Sequence, residues 1–242
     1  DALNEAQRGP VLHKEGPLIV IAGAGSGKTR VLIYRIAHLM ASGVDSFSIL
    51  ALTFTNKAAR EMKARIGDLV GEGEAKNLWM GTFHSVFARI LRQEADKLGF
   101  PSNFTIYDTQ DSDRLISAII KELGLEKDIY KYKQVRSRIS AFKNSLITVK
   151  AYFNDGDLQE ADAMSRRPKM GMIYKEYVER CFKAGAMDFD DLLLRTNELL
   201  NRYPEVLARY QDRFRYILVD EYQDTNHSQY LIVRALSDRY QN

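Results

Sequence analysis

The sequence predicts an α/β protein: a parallel sheet with helices on both faces, interrupted by a mainly helical inserted subdomain. Three observations carry this reading. Near-continuous apolar, β-rich runs at 18–22, 49–53, 78–80 and 216–219 suit parallel strands covered on both faces. Three of those runs are followed by helical periodicity, and alternating strand and helix is the grammar of a layered domain. Between about 108 and 203 the strand-like runs vanish and helical spacing takes over.

In chain order, the run LIVIA at 18–22 is the first expected strand and leads straight into a glycine-rich loop. Val31, Leu32, Ile36, Leu39 and Met40 then form a helical stripe that stops near Gly43. The second strand is 49–53, and Asn56 is the expected N-cap of the next helix, which buries Met62, Ile66 and Leu69. After 78–80, a helix starting near His84 carries Phe87, Ile90, Leu91 and Leu98 and ends at Gly99 before Pro101. In the insertion, Leu115, Ile116, Ile119, Ile120 and Leu123 make one helical face, and Tyr174, Tyr177, Val178 and Phe182 another. Residues 154–162 and 165–168 read as polar breaks. The run 216–219 returns as one more buried strand. The expected organisation is a sheet domain from 1–107 and 204–242, with 108–203 inserted.

A chain of 242 residues with 45% hydrophobic and 28% charged content supports an ordinary folded core. No apolar run reaches the roughly 18–20 residues that span a bilayer. The opening DALNEAQRGP has neither the basic nor the apolar region of a secretory signal. Cys181, the one cysteine, makes no internal disulfide or thiolate metal site and is expected as a small buried helix residue. These features point to a reducing, cytoplasmic setting.

The net charge of +3 does not mark a nucleic-acid binder, but its distribution is uneven. Lys127, Lys131, Lys133, Arg136, Arg138, Lys143 and Lys150 face one acid, Asp128, with Tyr130, Tyr132 and Phe142 interleaved. Two readings stay open here: a face that follows a phosphate backbone, and a solvated helix face.

The segment IVIAGAGSGKTRVL places strand, glycine-rich loop and helix in the order a P-loop needs. The loop residues are Ala22, Gly23, Ala24, Gly25, Ser26, Gly27, Lys28 and Thr29. Its glycines let successive backbone N–H groups turn inward as an anion nest, and the following helix aims its positive end at the same point. Lys28 supplies a charge for the β- and γ-phosphates of ATP, and Thr29 a hydroxyl for Mg²⁺. Ala22 stands where the first glycine of the usual pattern falls, a small change the remaining glycines accommodate. The strand 216–219 ends in Asp220 and Glu221. Ligands sit at the carboxyl ends of such strands, so Asp220 is the expected Mg²⁺ partner and Glu221 the expected general base.

With these residues in view, the chain resembles the superfamily 1 DNA helicases of the UvrD/PcrA/Rep type along its whole length. The resemblance rests on LNEAQR at 3–8, AGAGSGKTR at 22–30, ALTFTNKAAREMKAR at 51–65, GTFHS at 81–85, FDDLL at 189–193 and VDEYQDTN at 219–226. It implies a RecA-like fold for the P-loop domain and an ATP-driven DNA motor acting in DNA repair or replication, moving 3′→5′. By the same resemblance Gln7 reads adenine and Arg30 orders the nucleotide pocket. Thr53, Phe54, Thr55 and Asn56 contact single-stranded DNA, as do Thr82 and His84. Phe54 offers a stacking face, with a core aromatic as the other reading. Gln223 and Asp224 couple nucleotide state to the strand, while Asp190 and Asp191 cap a helix or contact DNA through water.

The resemblance also implies a second motor half carrying arginine fingers and an aromatic DNA-stacking block, none of which occurs here. The start without Met fits a piece of a longer polypeptide, expected to bind nucleotide weakly and to hydrolyse it slowly. Its expected partners are single-stranded DNA, the junction with duplex, repair proteins, and the missing half of the same polypeptide. Two rivals remain: a small-molecule P-loop kinase, and a nucleotide-dependent binding module that does not hydrolyse.

Overall fold

A computed structural model describes residues 2–242. Along the chain it forms α1 (Glu5–Leu12), α2 (Lys28–Ala41), β1 (Ile49–Thr53), α3 (Asn56–Val70), α4 (Glu72–Ala75), β2 (Trp79–Thr82) and α5 (Phe83–Glu94). There follow β3 (Thr105–Tyr107), α6 (Thr109–Glu122), α7 (Tyr132–Asn144), α8 (Val149–Phe153), α9 (Gly156–Met164) and α10 (Met170–Lys183). The chain ends with β4 (Ala186–Asp188), α11 (Phe189–Arg202), α12 (Pro204–Arg213), β5 (Tyr216–Val219) and α13 (His227–Ser237). It divides into two compact units, one of residues 1–86, 199–225 and 229–242, the other of 87–198 and 226–228.

The first unit is built on a parallel sheet in the order β2–β1–β5, flanked by helices. Successive strand side chains point to opposite faces. Ile49 and Ala51 of β1, with Tyr216 and Leu218 of β5, join Ile33, Ile36 and Leu39 of α2 and Met62 and Ile66 of α3 in one core. Leu50 and Leu52, on the opposite face of β1, are buried as well. Both faces are therefore covered, as the unbroken apolar run of β1 requires.

The expected first strand at 18–22 is not a strand: this stretch has no regular structure, and Ile19 and Ile21 are 74% and 93% exposed. An apolar run becomes a strand only where a neighbouring strand accepts its backbone groups. On the side of β5 away from β1, the Ile217 N–H donates instead to the Asn242 carbonyl (3.0 Å). The N-cap of α3 is Thr55 rather than Asn56, its side chain accepting from the Ala58 N–H (3.1 Å). Leu69 falls on the exposed side of that helix, while Met62 and Ile66 are buried as expected.

The second unit is mainly helical around a core that includes Ile116, Ile119, Ile120, Val135, Ile139, Phe142, Tyr174 and Tyr177. Cys181 is buried in the same core, on α10. Leu123 and Phe182, expected on the buried faces, are exposed. Two short strands escape the sequence reading, β3 and β4, paired in parallel from Thr105↔Ala186 to Tyr107↔Asp188. Part of the supposed polar break at 154–162 is helix α9, whose N-cap Asp155 accepts from the Asp157 and Leu158 N–H groups.

Three bases of the 127–150 run are ion-paired within this unit. Lys143 is buried and reaches Asp188 at 2.8 Å and Asp191 at 3.0 Å. Arg136 pairs with Asp113, and Arg138 with Asp162 at 3.0 Å, its guanidinium 4.6 Å from the Phe142 ring centre. Tyr130 and Phe142 are core residues, while Lys127, Lys131, Lys133 and Lys150 are exposed. The run is thus not a plain solvated face: three of its seven bases are engaged internally and four are exposed.

Asp190 lines a cavity of about 150 Å³ with Tyr107, Arg136 and Ser140. Burial first, then the charge of Asp188, pushes its carboxyl up to about 6. Between its unfolded value near 4 and about 6 the folded chain therefore binds more protons, so stability falls as pH rises through that window. Asp190→Asn is expected to flatten this slope, seen as a smaller difference in Tm between about pH 4 and about pH 7. Asp191, raised by burial and by Asp188, leaves part of the slope in place. A variant with the parent's full slope would mean that Asp190 ionises normally.

Candidate nucleotide and DNA site

The C-terminal edge of the parallel sheet collects most of the residues singled out in the sequence. Thr53 closes β1 and is in register with Thr82, which closes β2. Val219 of β5 pairs with Leu52, and the next N–H, of Asp220, donates to the Leu52 carbonyl (3.0 Å). With strands ~4.8 Å apart, Thr82, Thr53 and Asp220 form one row spanning roughly 10 Å.

The glycine loop precedes α2. Gly25 and Gly27 stand at φ +77° and +81°, left-handed values that side chains resist. Gly27 is the N-cap residue of α2 and gives it no side-chain cap, so the first N–H groups of the helix have no side-chain acceptor there. Around Gly23 and Gly25 an added Cβ would meet nothing within 4 Å. The loop therefore offers open space ahead of the N-terminus of α2, where a phosphate group is favoured.

Gln7 ties α1 to this loop. Its Nε2 donates to the Ser26 carbonyl (3.3 Å), and its Oε1 accepts from the Asn4 N–H (3.0 Å) in a reciprocal capping box with Asn4. Asn4 was not singled out, although the Asn-x-x-Gln spacing is a signal for that box. Arg30 donates to the Ala2 carbonyl (3.1 Å) and so ties the same end of α1 to α2. A Cβ on Gly27 would lie 2.5 Å from Gln7 Nε2. Gly27→Ala is therefore expected to cost more stability than Gly25→Ala, which carries the backbone strain of about 1–2 kcal/mol alone. Thermal unfolding followed by Trp79 fluorescence checks this, and equal losses would remove the clash with Gln7.

Asp220 is half-buried; burial, and then Glu221, raise its carboxyl above the usual range, while Lys28 pulls it down. Glu221 holds a left-handed backbone (φ 52°, ψ 47°), a strained state for a non-glycine residue at a turn that re-aims its side chain. Its carboxylate accepts from Gln223 Nε2. Two adjacent carboxylates at a strand end, one of them desolvated, make a site that a divalent cation relieves. Among the described residues no group of three or more His, Cys, Asp or Glu is arranged to hold a metal. The donor set fits Mg²⁺ bound by one or two protein oxygens together with phosphate and water.

At the DNA blocks, Thr53 is fully buried, and its hydroxyl donates to the Thr55 carbonyl (3.2 Å) with the Gly81 carbonyl at 3.5 Å. Thr82, 8% exposed, caps the start of α5 by accepting from the Ser85 N–H (3.1 Å). Phe54 is half-buried with its ring 5.5 Å from that of Phe83. Thr55 and Asn56 are exposed, as are Gln223 and Asp224 on a single 3₁₀ turn. Burial holds His84 below its usual pKa, so its imidazole is neutral at pH 7. In the helical unit, Asp191 and Asp188 cap α11 reciprocally, with N–H to carboxylate distances of 2.8 and 3.1 Å.

The family model of the UvrD/REP helicase N-terminal domain matches residues 3–242. Over 244 residues the chain is 47% identical to "ATP-dependent DNA helicase UvrD1" of Mycobacterium tuberculosis (strain ATCC 25618 / H37Rv), covering 100% of this chain and 31% of that protein. It is 44% identical over 241 residues to "ATP-dependent DNA helicase PcrA" of Bacillus subtilis (strain 168), covering 99% of this chain and 32% of that one. The same coverage and 43% identity hold for PcrA of Staphylococcus aureus (strain Mu50 / ATCC 700699). The chain thus spans about a third of the length of these relatives. Among the described residues no helix is long and apolar enough to cross a membrane.

Proposed function

Because this chain belongs to the UvrD/REP helicase N-terminal domain family, we propose that it is the ATP-binding, DNA-contacting part of an ATP-dependent DNA helicase or translocase. The observation that carries the reading is the shared sheet edge, where the strand ends of both DNA blocks stand beside the Asp220 carboxylate, on which Lys28 acts. A change in nucleotide state at Asp220 is then felt one and two strands away, at Thr53 and Thr82.

In this reading residues 1–107 and 204–242 are the RecA-like domain and 108–203 its helical insertion. The backbone of 22–29, Lys28 and Arg30 hold the phosphates of ATP, and Gln7 meets the base. Thr29 and Asp220 hold Mg²⁺. The bound nucleotide supplies the phosphoanhydride whose hydrolysis drives the cycle. Glu221 takes the proton of the attacking water at its carboxylate. Phe54, Thr55, Asn56 and the start of α5 meet single-stranded DNA; Thr53 and Thr82, whose hydroxyls are engaged internally, shape those loops. Gln223 and Asp224 relay between the two sites. The neutral His84 makes a dipolar contact rather than an ionic one. The parent polypeptide works in the cytoplasm in DNA repair or replication, moves 3′→5′ and meets repair proteins.

The test is the ATPase rate with and without single-stranded DNA, on this chain and on a polypeptide that carries it together with a second motor half. An arginine finger contributes roughly 10³–10⁵ in rate for phosphoryl transfer, so this chain alone is expected to turn over slowly and the longer one to be stimulated by DNA. A longer polypeptide whose ATPase ignores DNA would sink the helicase reading and leave that of a small-molecule kinase or binding module.

A further inference from the structure

Arg35 closes the second turn of α2 and is 8% exposed, yet among the described residues no carboxylate pairs with it. Its Nη1 donates to the Pro10 carbonyl (2.8 Å) and to the His13 carbonyl. These carbonyls close the C-terminal end of α1, where unsatisfied C=O groups and the negative end of the helix dipole gather. The buried charge is thus answered by a helix end. The residues that follow are held at the same place: Glu15 accepts from the Tyr216 hydroxyl (2.7 Å), and the Gly16 N–H donates to Asn242 Oδ1 (2.6 Å).

Helix α1 is therefore fastened to α2 at both ends. At the front, Gln7 reaches Ser26 and Arg30 reaches Ala2; at the back, Arg35 grips the helix exit. The front contacts are single, and the Gln7 contact is long at 3.3 Å. The back contact is charge-assisted like that of Arg30, but it is doubled and more buried, which makes it the stronger one. From this we infer that Arg35 is a positioning residue for recognition of the nucleoside: it sets the pose of α1 and hence of Gln7 above Gly27, while leaving the phosphate loop itself untouched. The inference rests on the P-loop reading above.

The experiment compares binding of ATP and of inorganic tripolyphosphate, each with Mg²⁺, to the 1–242 chain and to its Arg35→Lys and Arg35→Met variants. The expected result is an ATP affinity about tenfold weaker in Arg35→Met, the scale of one lost hydrogen bond, with tripolyphosphate affinity unchanged and a smaller ATP loss in Arg35→Lys. Equal losses for both ligands, or none for either, would overturn the positioning role alone. If neither variant unfolds cooperatively, Arg35 is a folding residue and the inference falls. A parent chain that binds neither ligand would overturn the P-loop reading and this one with it.

Discussion

Replacing Lys143 by methionine is expected to remove about 3–5 kcal/mol from the stability of the helical unit, the usual cost of stripping one partner from a buried ion pair. The ammonium lies between two carboxylates, 2.8 Å from Asp188 and 3.0 Å from Asp191, and 4.9 Å from the Tyr177 ring centre. Burial alone would depress its pKa; the two carboxylates reverse that and hold it above the usual range. For Asp188, burial works against ionisation, but the Lys143 charge and hydrogen bond, with the Asp191 N–H, keep the carboxyl below its usual range. The Tyr177 hydroxyl also donates to Asp188 (2.8 Å). Methionine fills the space of the lysine stem and leaves both carboxylates buried without a cation. Adding Asp188→Asn and Asp191→Asn to the variant is expected to recover part of the loss, because the repulsion disappears with the charges.

Trp79, the only tryptophan, belongs to the sheet unit and does not report this change directly. Hydrogen exchange in α7 and α11 does. Protection in those helices at the parent level would show that the triad contributes little.

Why the sequence hid this triad is a matter of range. Counting seven bases against one acid along 127–150 treats charge as a local property, whereas the partners of Lys143 lie 45 and 48 residues further on. The same limit explains β3 and β4. Each is three residues long, too short for an alternation to register, and each is a strand only because the other is there. The run 18–22 errs in the opposite direction: its composition is that of a buried strand, but it is hydrogen-bonded to no strand of the described chain. The strands of the three-stranded sheet were legible, and 49–53 and 216–219 match their observed bounds. The glycine loop, Asp220 and the blocks at 51–65 and 81–85 stand out because each pattern is local in sequence. The contact of the Thr53 hydroxyl with the Gly81 carbonyl was not legible, since only the pairing of β1 with β2 brings the two together.

Lys28→Ala is expected to weaken ATP·Mg²⁺ binding by roughly 10–150-fold, the range for losing a hydrogen bond to a charged group. Lys28 is the first residue of α2, behind a left-handed Gly27, so its charge adds to the positive end of the helix at the mouth of the loop. It is also the group that lowers the Asp220 carboxyl against burial and Glu221. Its removal therefore acts twice, taking a cation from the phosphates and making Asp220 harder to ionise for Mg²⁺. The second effect has its own signature: the pH below which Mg²⁺-dependent binding is lost should move upward, because a higher Asp220 pKa keeps the carboxyl protonated over more of the range. Folding should hardly change, since the side chain is only partly buried and the core of the sheet lies elsewhere. Titration of ATP at fixed Mg²⁺ across pH, beside thermal unfolding of the same samples, separates these effects. An affinity equal to that of the parent would take the nucleotide away from this loop, and an unchanged pH limit would take Asp220 away from the metal.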